Sequence, residues 1–469
     1  MVDRVRTKLA MLASKGVTRG IRLAGKGGGT AYPGVVAMRI DPHLLDKLAR
    51  TLPKGTVVIA GTNGKTTTSR MLATIADHDG QKVVHNRSGS NLLRGITAAF
   101  AEQLPLLGGG ADLGVIEADE NAFPDIVRRV RPRIVVLLNL FRDQLDRYGE
   151  LETIAAHWQP TLEELPATST LVVNADDPTL ATIAEATSAQ VFRFGMTAEG
   201  ARPPELPHAA DAGFCRRCGS LLTYDAIYVS HLGNYRCPNC GLSRPPLDLA
   251  ATSVRPSGLD SQCLTVECVA GELTDYTVAT PGLYNAYNAL AAIATARTIG
   301  LAESSIESGL AQYQPAFGRL EHVSYKGLTF TLALAKNPTG FNELIQMVNE
   351  LESLDAVLIG INDLDADGRD VSWLWDVDFE VLAGDHCDRS IIAAGLRGHD
   401  LAVRMKYAGL DLDRLDVEVA GRHYDDVLDH VVATRERGEH VFALLTYTSM
   451  LQLRQAFVDR GALRSFWEQ

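Results

Sequence analysis

A two-part α/β protein is predicted by three features of the sequence. Short apolar runs alternate with helical stretches from residue 55 onward, a Gly-rich loop directly follows the first run, and a second alternating set begins near residue 322. The first set comprises "GTVVIA", "DLGVIEADE", "RIVVLLNLF" and "STLVVNADDP". Each run leads into a polar loop that opens a helix, the pattern of a parallel sheet with crossover helices. Ligands bind such sheets at the carboxyl ends of the strands, where these loops fall. Between residues 196 and 246 the pattern breaks into a Pro-, Cys- and Gly-rich stretch, read as an insertion, and the helical "LYNAYNALAAIATARTIG" at 283–300 resumes it. The second set has "LTFTLALA", "DAVLIGIND", "RSIIAAG" and "HVFALLTY" as candidate strands. The expected organisation is a short basic segment at 1–55, a first α/β domain at 56–316 with its insertion at 210–245, and a second α/β domain at 317–469.

Composition narrows the function classes. With 46% hydrophobic and 22% charged residues, the 469-residue chain has a soluble globular composition. Its apolar runs are about half of the roughly 20 residues that cross a bilayer, so no transmembrane segment is expected. A net charge of −12 argues against a general nucleic-acid binder. Residues 1–29 are the local exception, with Arg4, Arg6, Lys8, Lys15, Arg19, Arg22 and Lys26 against Asp3. A helix resting on anionic lipid has this look, as does a transit peptide, although a Ser-poor segment with no cleavage signature disfavours targeting. The plainer reading is a basic helix packed on its own protein with one face wet. Seven cysteines, four of them in two C-x-x-C pairs, disfavour a secreted disulfide scaffold and point to a reducing cytoplasm.

The loop "VVIAGTNGKTTT" places a buried strand before Gly61, Thr62, Asn63, Gly64, Lys65, Thr66 and Thr67, with a helix after it. Glycines let backbone N–H groups approach phosphate oxygens, the helix N-terminus favours the anion, and the lysine reaches the terminal phosphates. The Thr66 hydroxyl can ligate magnesium. Ile59 stands where the usual first glycine would be, so the match is to a shortened G-x-x-G-K-T-T form. Strand, G-K-T-T-T and helix together point to a nucleoside triphosphate rather than to a turn that merely joins two elements.

Cys215, Cys218, Cys237 and Cys240 form C-x2-C-x18-C-x2-C, within the spacing of a structural zinc ribbon. Four thiolates would close the tetrahedron and leave no position for water, so this zinc would be structural. Cys263, Cys268 and Cys387 read as buried small hydrophobes. In "NDLDADGRDVSW", Asp363, Asp365, Asp367 and Gly368 take the first positions of a calcium loop, but the twelfth is Leu374 instead of a bidentate Glu. A hydrated turn is the ordinary alternative. Asp370 sits beside Trp373 and Trp375, an aromatic weighting more typical of interfaces.

The phosphate loop resembles that of the Mur ligases and folylpolyglutamate synthases, which activate a carboxylate as an acyl phosphate. Further segments carry the resemblance: "VIEADE", "NLFRDQLDRYG", "NADDP", "YNAYNALAA" and "GRLE" in this order. It implies a Mur ligase-like central domain, Glu117 as a magnesium ligand, Asn174, Asp177 and Asn288 as nucleotide-binding residues, and Arg319 near the phosphates. Gln144 stands in place of a family His, which puts a second magnesium in doubt, and residues 149–170 hold no lysine to be carbamylated. The N-terminal segment is short for a classical member, and Ala333 and Lys336 replace the Asp and His of the amino-acid-placing segment.

The ATPase half is thus retained while the amino-acid half is altered. The short N-terminal segment, the four cysteines, "FRDQLDRYGE", "KNPTGFNE" and "DGRDVSWLWDVDFE" resemble one branch of the family, the synthetase subunit of an amidotransferase. That resemblance implies ATP, Mg2+ and structural Zn2+ as cofactors, and a GatD-like class I glutamine amidotransferase as partner. The implied reaction is ATP-dependent amidation of the α-carboxylate of D-glutamate in lipid II, at the cytoplasmic membrane face of a bacterium. It also implies that an aspartate of the acidic loop serves the partner's glutaminase site, taken here as Asp370, with Asp367 as the other candidate. The alternatives are a stand-alone ligase that adds an amino acid and a non-enzymatic zinc-ribbon scaffold.

Overall fold

Buried β-branched runs define the first sheet. The computed structural model describes residues 2–23, 31–86, 90–106, 110–142, 151–198, 211–257, 260–269, 271–314, 319–351, 354–384 and 389–463. Its strands are β1 (Thr56–Ala60), β2 (Val83–His85), β3 (Leu113–Glu117), β4 (Ile134–Leu137), β5 (Thr170–Asn174), β6 (Gln190–Met196), β9 (Leu249–Pro256), β10 (Gln262–Cys268) and β11 (Leu273–Val278), in the order β11-β10-β9-β6-β5-β4-β1-β3-β2. From β2 to β9 neighbours run parallel, and β9, β10 and β11 pair antiparallel. Every residue of β1, β3 and β4 is buried, as central parallel strands covered on both faces must be. β10 instead alternates between buried and half-buried residues. β10 and β11 contain no continuous apolar run, and in β9 the buried Leu249, Ala250 and Ala251 give way to Thr252 and Ser253, so all three escape a search for such runs. The insertion supplies a separate hairpin, β7 (Thr223–Val229) with β8 (Leu232–Arg236).

The chain divides into two compact units. The first comprises residues 1–141, 150–205 and 211–314, and the second residues 142–149, 206–210 and 315–469. Residues 1–55 belong to the first unit. Helix α1 (Val2–Leu23) packs on α2 (Tyr32–Ile40) and on α5 (Leu93–Gln103), and α3 (Leu44–Ala49) follows α2. Buried Asp41 ties this corner together, accepting from Thr7 Oγ1 at 3.0 Å and from Lys47 Nζ at 2.8 Å. Helix α4 (Lys65–His78) follows the phosphate loop, and α6 (Phe123–Val130) follows β3. The helix Leu283–Ile299 is apolar on all sides and correspondingly buried, packed on α4, β5, β6 and β9.

The second unit is built on a six-stranded sheet. Its strands are β12 (Arg319–Tyr325), β13 (Leu328–Leu334), β14 (Ala356–Gly360), β15 (Ser390–Ala394), β16 (Leu415–Asp416) and β17 (His440–Leu445), ordered β12-β13-β17-β14-β15-β16. Only β12 runs antiparallel. The four expected strands are β13, β14, β15 and β17. β12, with His322 and Ser324 interrupting it, and the two-residue β16 carry no apolar signal.

Candidate active site

The phosphate loop leaves the carboxyl end of β1, whose neighbours β3 and β4 flank it on either side. Gly64 caps α4 with φ +87°, a left-handed conformation, and a Cβ there would come within 1.9 Å of Asn288 Oδ1. Only glycine serves both demands. The loop's outer side is fixed by the segment after β4. Asn139 accepts from Asn63 N at 2.8 Å and donates to Asn63 O at 3.1 Å, while the Thr62 hydroxyl donates to Phe141 O and accepts from Phe141 N. Its inner side meets the helix Leu283–Ile299 through Asn288, 3.4 Å from Thr68 Oγ1. The backbone cradle is therefore held before any nucleotide arrives.

Acids gather at the end of β3. Thr66 Oγ1 lies 2.9 Å from Glu117 Oε2, and Lys65 Nζ lies 2.7 Å from Glu120 Oε1 while also donating to the carbonyls of Gly61 and Thr62. Glu117, Asp119 and Glu120 are all buried. Two adjacent oxygen ligands of an octahedral magnesium, each at about 2.1 Å, stand about 3 Å apart. The Thr66–Glu117 separation fits that edge. Asn86 fixes the Glu117 backbone from both sides, donating to its carbonyl and accepting from its N–H, each at 2.9 Å. Sequence reasoning picked Glu117 and missed Glu120 and Asn139; the acid run "EADE" carried the signal for Glu120. Gln144 lies outside the described residues.

Asn174 and Asp177 are fully buried and bonded to the protein. Asn174 donates to Leu138 O at 2.9 Å, and Asp177 caps the helix Pro178–Ile183 while accepting from Leu140 N at 2.8 Å. Both thereby position the strand end that carries Asn139. Between them and the ribbon lies a buried network that sequence reasoning did not find. Asp176 accepts from Arg244 at 2.8 Å, from the Tyr287 hydroxyl at 2.6 Å and from Met196 N at 2.8 Å, and its carbonyl accepts from Gly233 N in β8. Burial pushes the Asp176 carboxyl up, opposed chiefly by the Arg244 charge. His231, at the hairpin tip, is buried 3.6 Å from Asp177 and 4.9 Å, centroid to centroid, from the Phe141 ring.

At the far end of this insertion, Cys215, Cys218, Cys237 and Cys240 bring their sulfurs within 4.8 Å of one another, with two pairs at 3.5 Å. Thiolates at about 2.3 Å from a tetrahedral zinc stand about 3.8 Å apart, so the cluster suits a structural metal with four sulfur ligands. Cys263 and Cys268 are half-buried, not buried as expected, because they lie on sheet strands near its open edge; Cys387 lies outside the described residues.

In the second unit the acidic loop follows β14. Its carboxylates take separate partners. Asp363 pairs with Arg397 at 2.8 Å and Asp365 with Arg369 at 2.7 Å, while buried Asp367 accepts from Thr448 N at 2.8 Å and from its hydroxyl. They do not converge, so the loop is no calcium site. Asp370 is exposed and accepts from Ser372 N at 2.8 Å, and hydrogen bonds from Ser372 hold its carboxyl below the usual aspartate value. Five residues on in the chain, exposed Trp375 packs against exposed Tyr407 with centroids 5.7 Å apart and rings tilted by 55°, and Arg404 lies over the Trp375 ring. Ala333 is buried in β13, and Lys336 lies over the Tyr447 ring. Arg319 opens β12, but its side chain is outside the described residues.

Comparison with known proteins agrees with this architecture. The Mur ligase middle domain model matches residues 59–211, and the MurT ligase C-terminal model matches residues 334–450. The MurT subunit of lipid II isoglutaminyl synthase (glutamine-hydrolyzing) from Staphylococcus aureus strain COL is 33% identical over 96% of this chain and 97% of its own length. The Streptococcus pneumoniae subunit is 31% identical over 98% and 99%. Among solved structures, a pseudomurein peptide ligase type C from Methanothermus fervidus superposes with TM-score 0.67 at 19% identity, covering 89% of this chain and 81% of that one. MurF from Thermotoga maritima, in complex with ADP, gives 0.64 at 13% identity, covering 90% and 84%. The structures establish the shared Mur ligase fold, the sequence identity runs almost end to end, and the chain belongs to the MurT family of Mur ligase-like enzymes.

Proposed function

We propose that this chain is the synthetase subunit of a glutamine-dependent amidotransferase that converts the α-carboxylate of D-glutamate in the lipid II stem peptide to the amide of D-isoglutamine. The observation that carries the reading is the Lys65, Thr66 and Glu117 cluster at the mouth of β1 and β3, in a chain similar almost end to end to lipid II isoglutaminyl synthase subunits.

A free carboxylate repels nucleophiles and has no good leaving group. Transfer of the γ-phosphoryl group of ATP to one carboxylate oxygen releases ADP and gives an acyl phosphate. Ammonia then attacks the carbonyl carbon, the C–O bond to phosphate breaks, inorganic phosphate leaves, and the amine loses a proton. The backbone N–H groups of Gly61 to Thr67 cradle the phosphates, with Asn139 and Asn288 holding the loop in shape. Lys65 leaves Glu120 to follow the charge on the transferred group. Thr66 and Glu117 would hold the magnesium ion, which supplies charge neutralisation on the phosphates. The four cysteines would hold zinc in a purely structural role.

Ammonia is supplied by a GatD-like class I glutaminase subunit. Asp370 is read as the orienting acid for that partner's Cys–His pair, supported by its exposure, by the hydrogen bonds from Ser372 that hold its carboxyl below the usual aspartate value, and by the exposed aromatic Trp375 that follows it in the chain. The enzyme acts in the cytoplasm, at the membrane face where lipid II is presented. ADP release should require lipid II and rise with ammonium, and co-expression with the glutaminase should make glutamine an equivalent donor. Stimulation by an amino acid, with ammonium inert, would overturn the reading in favour of an amino-acid-adding ligase.

A further inference from the structure

Helix α1 has two apolar faces, and only one of them is used. Ala10, Met11 and Ser14 are buried against α2 and α5. At about 100° per residue, Val5, Leu9, Leu12, Gly16 and Leu23 fall within about 60° of arc on the opposite side of the helix. The four large side chains of this second stripe are 51%, 53%, 50% and 90% exposed. A soluble helix that packs one face on its own protein ordinarily gives the other to polar residues. Here the outward face is apolar.

Charge says what covers it. Lys8 and Arg19 line one margin of the stripe and Arg4 lies farther round on the same side; all three are exposed, and no ion pair to any of them occurs among the described residues. The helix's lone acid, Asp3, lies toward the packed side and meets Lys47 at 2.5 Å. The helix therefore presents a basic, apolar strip on a chain whose net charge is −12. It is also anchored: Lys15 donates to Glu102 O at 2.7 Å, and Arg6 lies 3.4 Å from Asp41. A fixed helix with Leu side chains outward and cations beside them is the form in which a peripheral protein lies in the headgroup region of a bilayer.

We infer that the Val5, Leu9, Leu12 and Leu23 face of α1 docks on an anionic lipid surface, with Arg4, Lys8 and Arg19 meeting the headgroups. The inference rests on this helix alone and holds whichever substrate the active site takes. Each basic residue near such a surface strengthens binding about fivefold, so removing three weakens it about a hundredfold.

The test is flotation of the full-length chain with phosphatidylglycerol-containing vesicles and with pure phosphatidylcholine vesicles. The native chain should float with the first and not the second, and raised salt should weaken the association. The L9S/L12S variant and the R4Q/K8Q/R19Q variant should each lose flotation while keeping the native circular dichroism and ATP affinity. A native chain that stays in the soluble fraction with anionic vesicles overturns the inference, as do variants that float like the native chain. Light scattering that shows a dimer abolished by L9S/L12S would also overturn it, assigning the stripe to a second copy of the chain.

Discussion

Arg244 offers a measurable test of how the cysteine insertion is joined to the ATP site. Its guanidinium is the only cation among the described contacts of Asp176, whose side chain is fully buried while that of Arg244 is 12% exposed. Replacing Arg244 by Met keeps much of the side chain's bulk and leaves the carboxylate without its cation. Breaking a buried ion pair from one side costs about 3–5 kcal/mol, and the slight exposure of Arg244 places this one near about 3 kcal/mol. That is a large share of a typical domain's stability. The sign with pH follows from the direction of the shift. Burial already raises the Asp176 pKa and loss of Arg244 raises it further, so the penalty is smallest in acid, where the carboxyl is protonated in both states. The unfolded state is common to both chains, so the penalty grows as pH rises through the folded-state value of the native chain and is complete above the higher folded-state value of the variant. The double variant R244M/D176N should recover most of the loss, because an Asn oxygen still accepts from Met196 N and the Tyr287 hydroxyl. Urea unfolding followed through buried Trp158 reads the cycle. A cost for R244M under about 1 kcal/mol, or a double variant no more stable than the single one, would refute the argument.

Asp370→Asn should lower glutamine-dependent amidation by about 10³- to 10⁴-fold, the loss seen when an orienting carboxylate is neutralised, while ammonium-dependent amidation stays. Hydrogen bonds from Ser372 depress the Asp370 pKa, so this carboxylate stays ionised across neutral and mildly acidic pH and contributes no acid limb there; a rate profile run with glutamine and again with ammonium checks both points. Thr66→Val and Glu117→Gln should each reduce magnesium-dependent ADP release by about 100-fold or more with unchanged thermal unfolding, and raised magnesium should partly rescue the Gln variant. Zinc chelation, or Cys218→Ser, should lower the melting temperature and raise the KM for ATP, since the hairpin meets Asp176 and Asp177; metal analysis of the purified chain should find zinc, and its loss should track the change.

The parallel strands and the phosphate loop were legible because they are local. A continuous buried run such as "TVVIA" announces a central strand, and Gly61, Gly64 and Lys65 sit within five residues. The four cysteines were legible through their spacing. What reading along the chain missed is long-range. Asn63 is held by Asn139, Gly64 is matched to Asn288, and Asp176 is paired with Arg244. No periodicity marks such pairs, because their partners come together only when the sheet and the helix Leu283–Ile299 are in place. Asn174 and Asp177 show the converse. Their motif is legible, yet their polar atoms hold Leu138 and Leu140. What the structure shows of these two residues is that they position the segment that carries Asn139.

The acidic loop shows why spacing alone could not decide a role. Four aspartates in eight residues suggest one cation, yet Asp363 and Asp365 each meet an arginine of this unit and Asp367 meets Thr448, eighty-one residues away. A carboxylate already paired with a guanidinium gains less from a second positive partner, and one buried against a hydroxyl cannot reach one. Asp370 differs on both counts. Its described partners are the backbone N–H and side chain of Ser372, which lower its pKa without neutralising its charge. Of the four, it is the one that is exposed with no arginine partner among the described residues, while the other three tie the loop to Arg397, Arg369 and Thr448. Replacing Asp367 should therefore damage the loop and with it stability, whereas replacing Asp370 should leave stability within about 0.5 kcal/mol and change only what the loop does to a second protein. Comparing the two variants by thermal unfolding and by glutamine hydrolysis separates the roles, and equal destabilisation would return Asp370 to the scaffold.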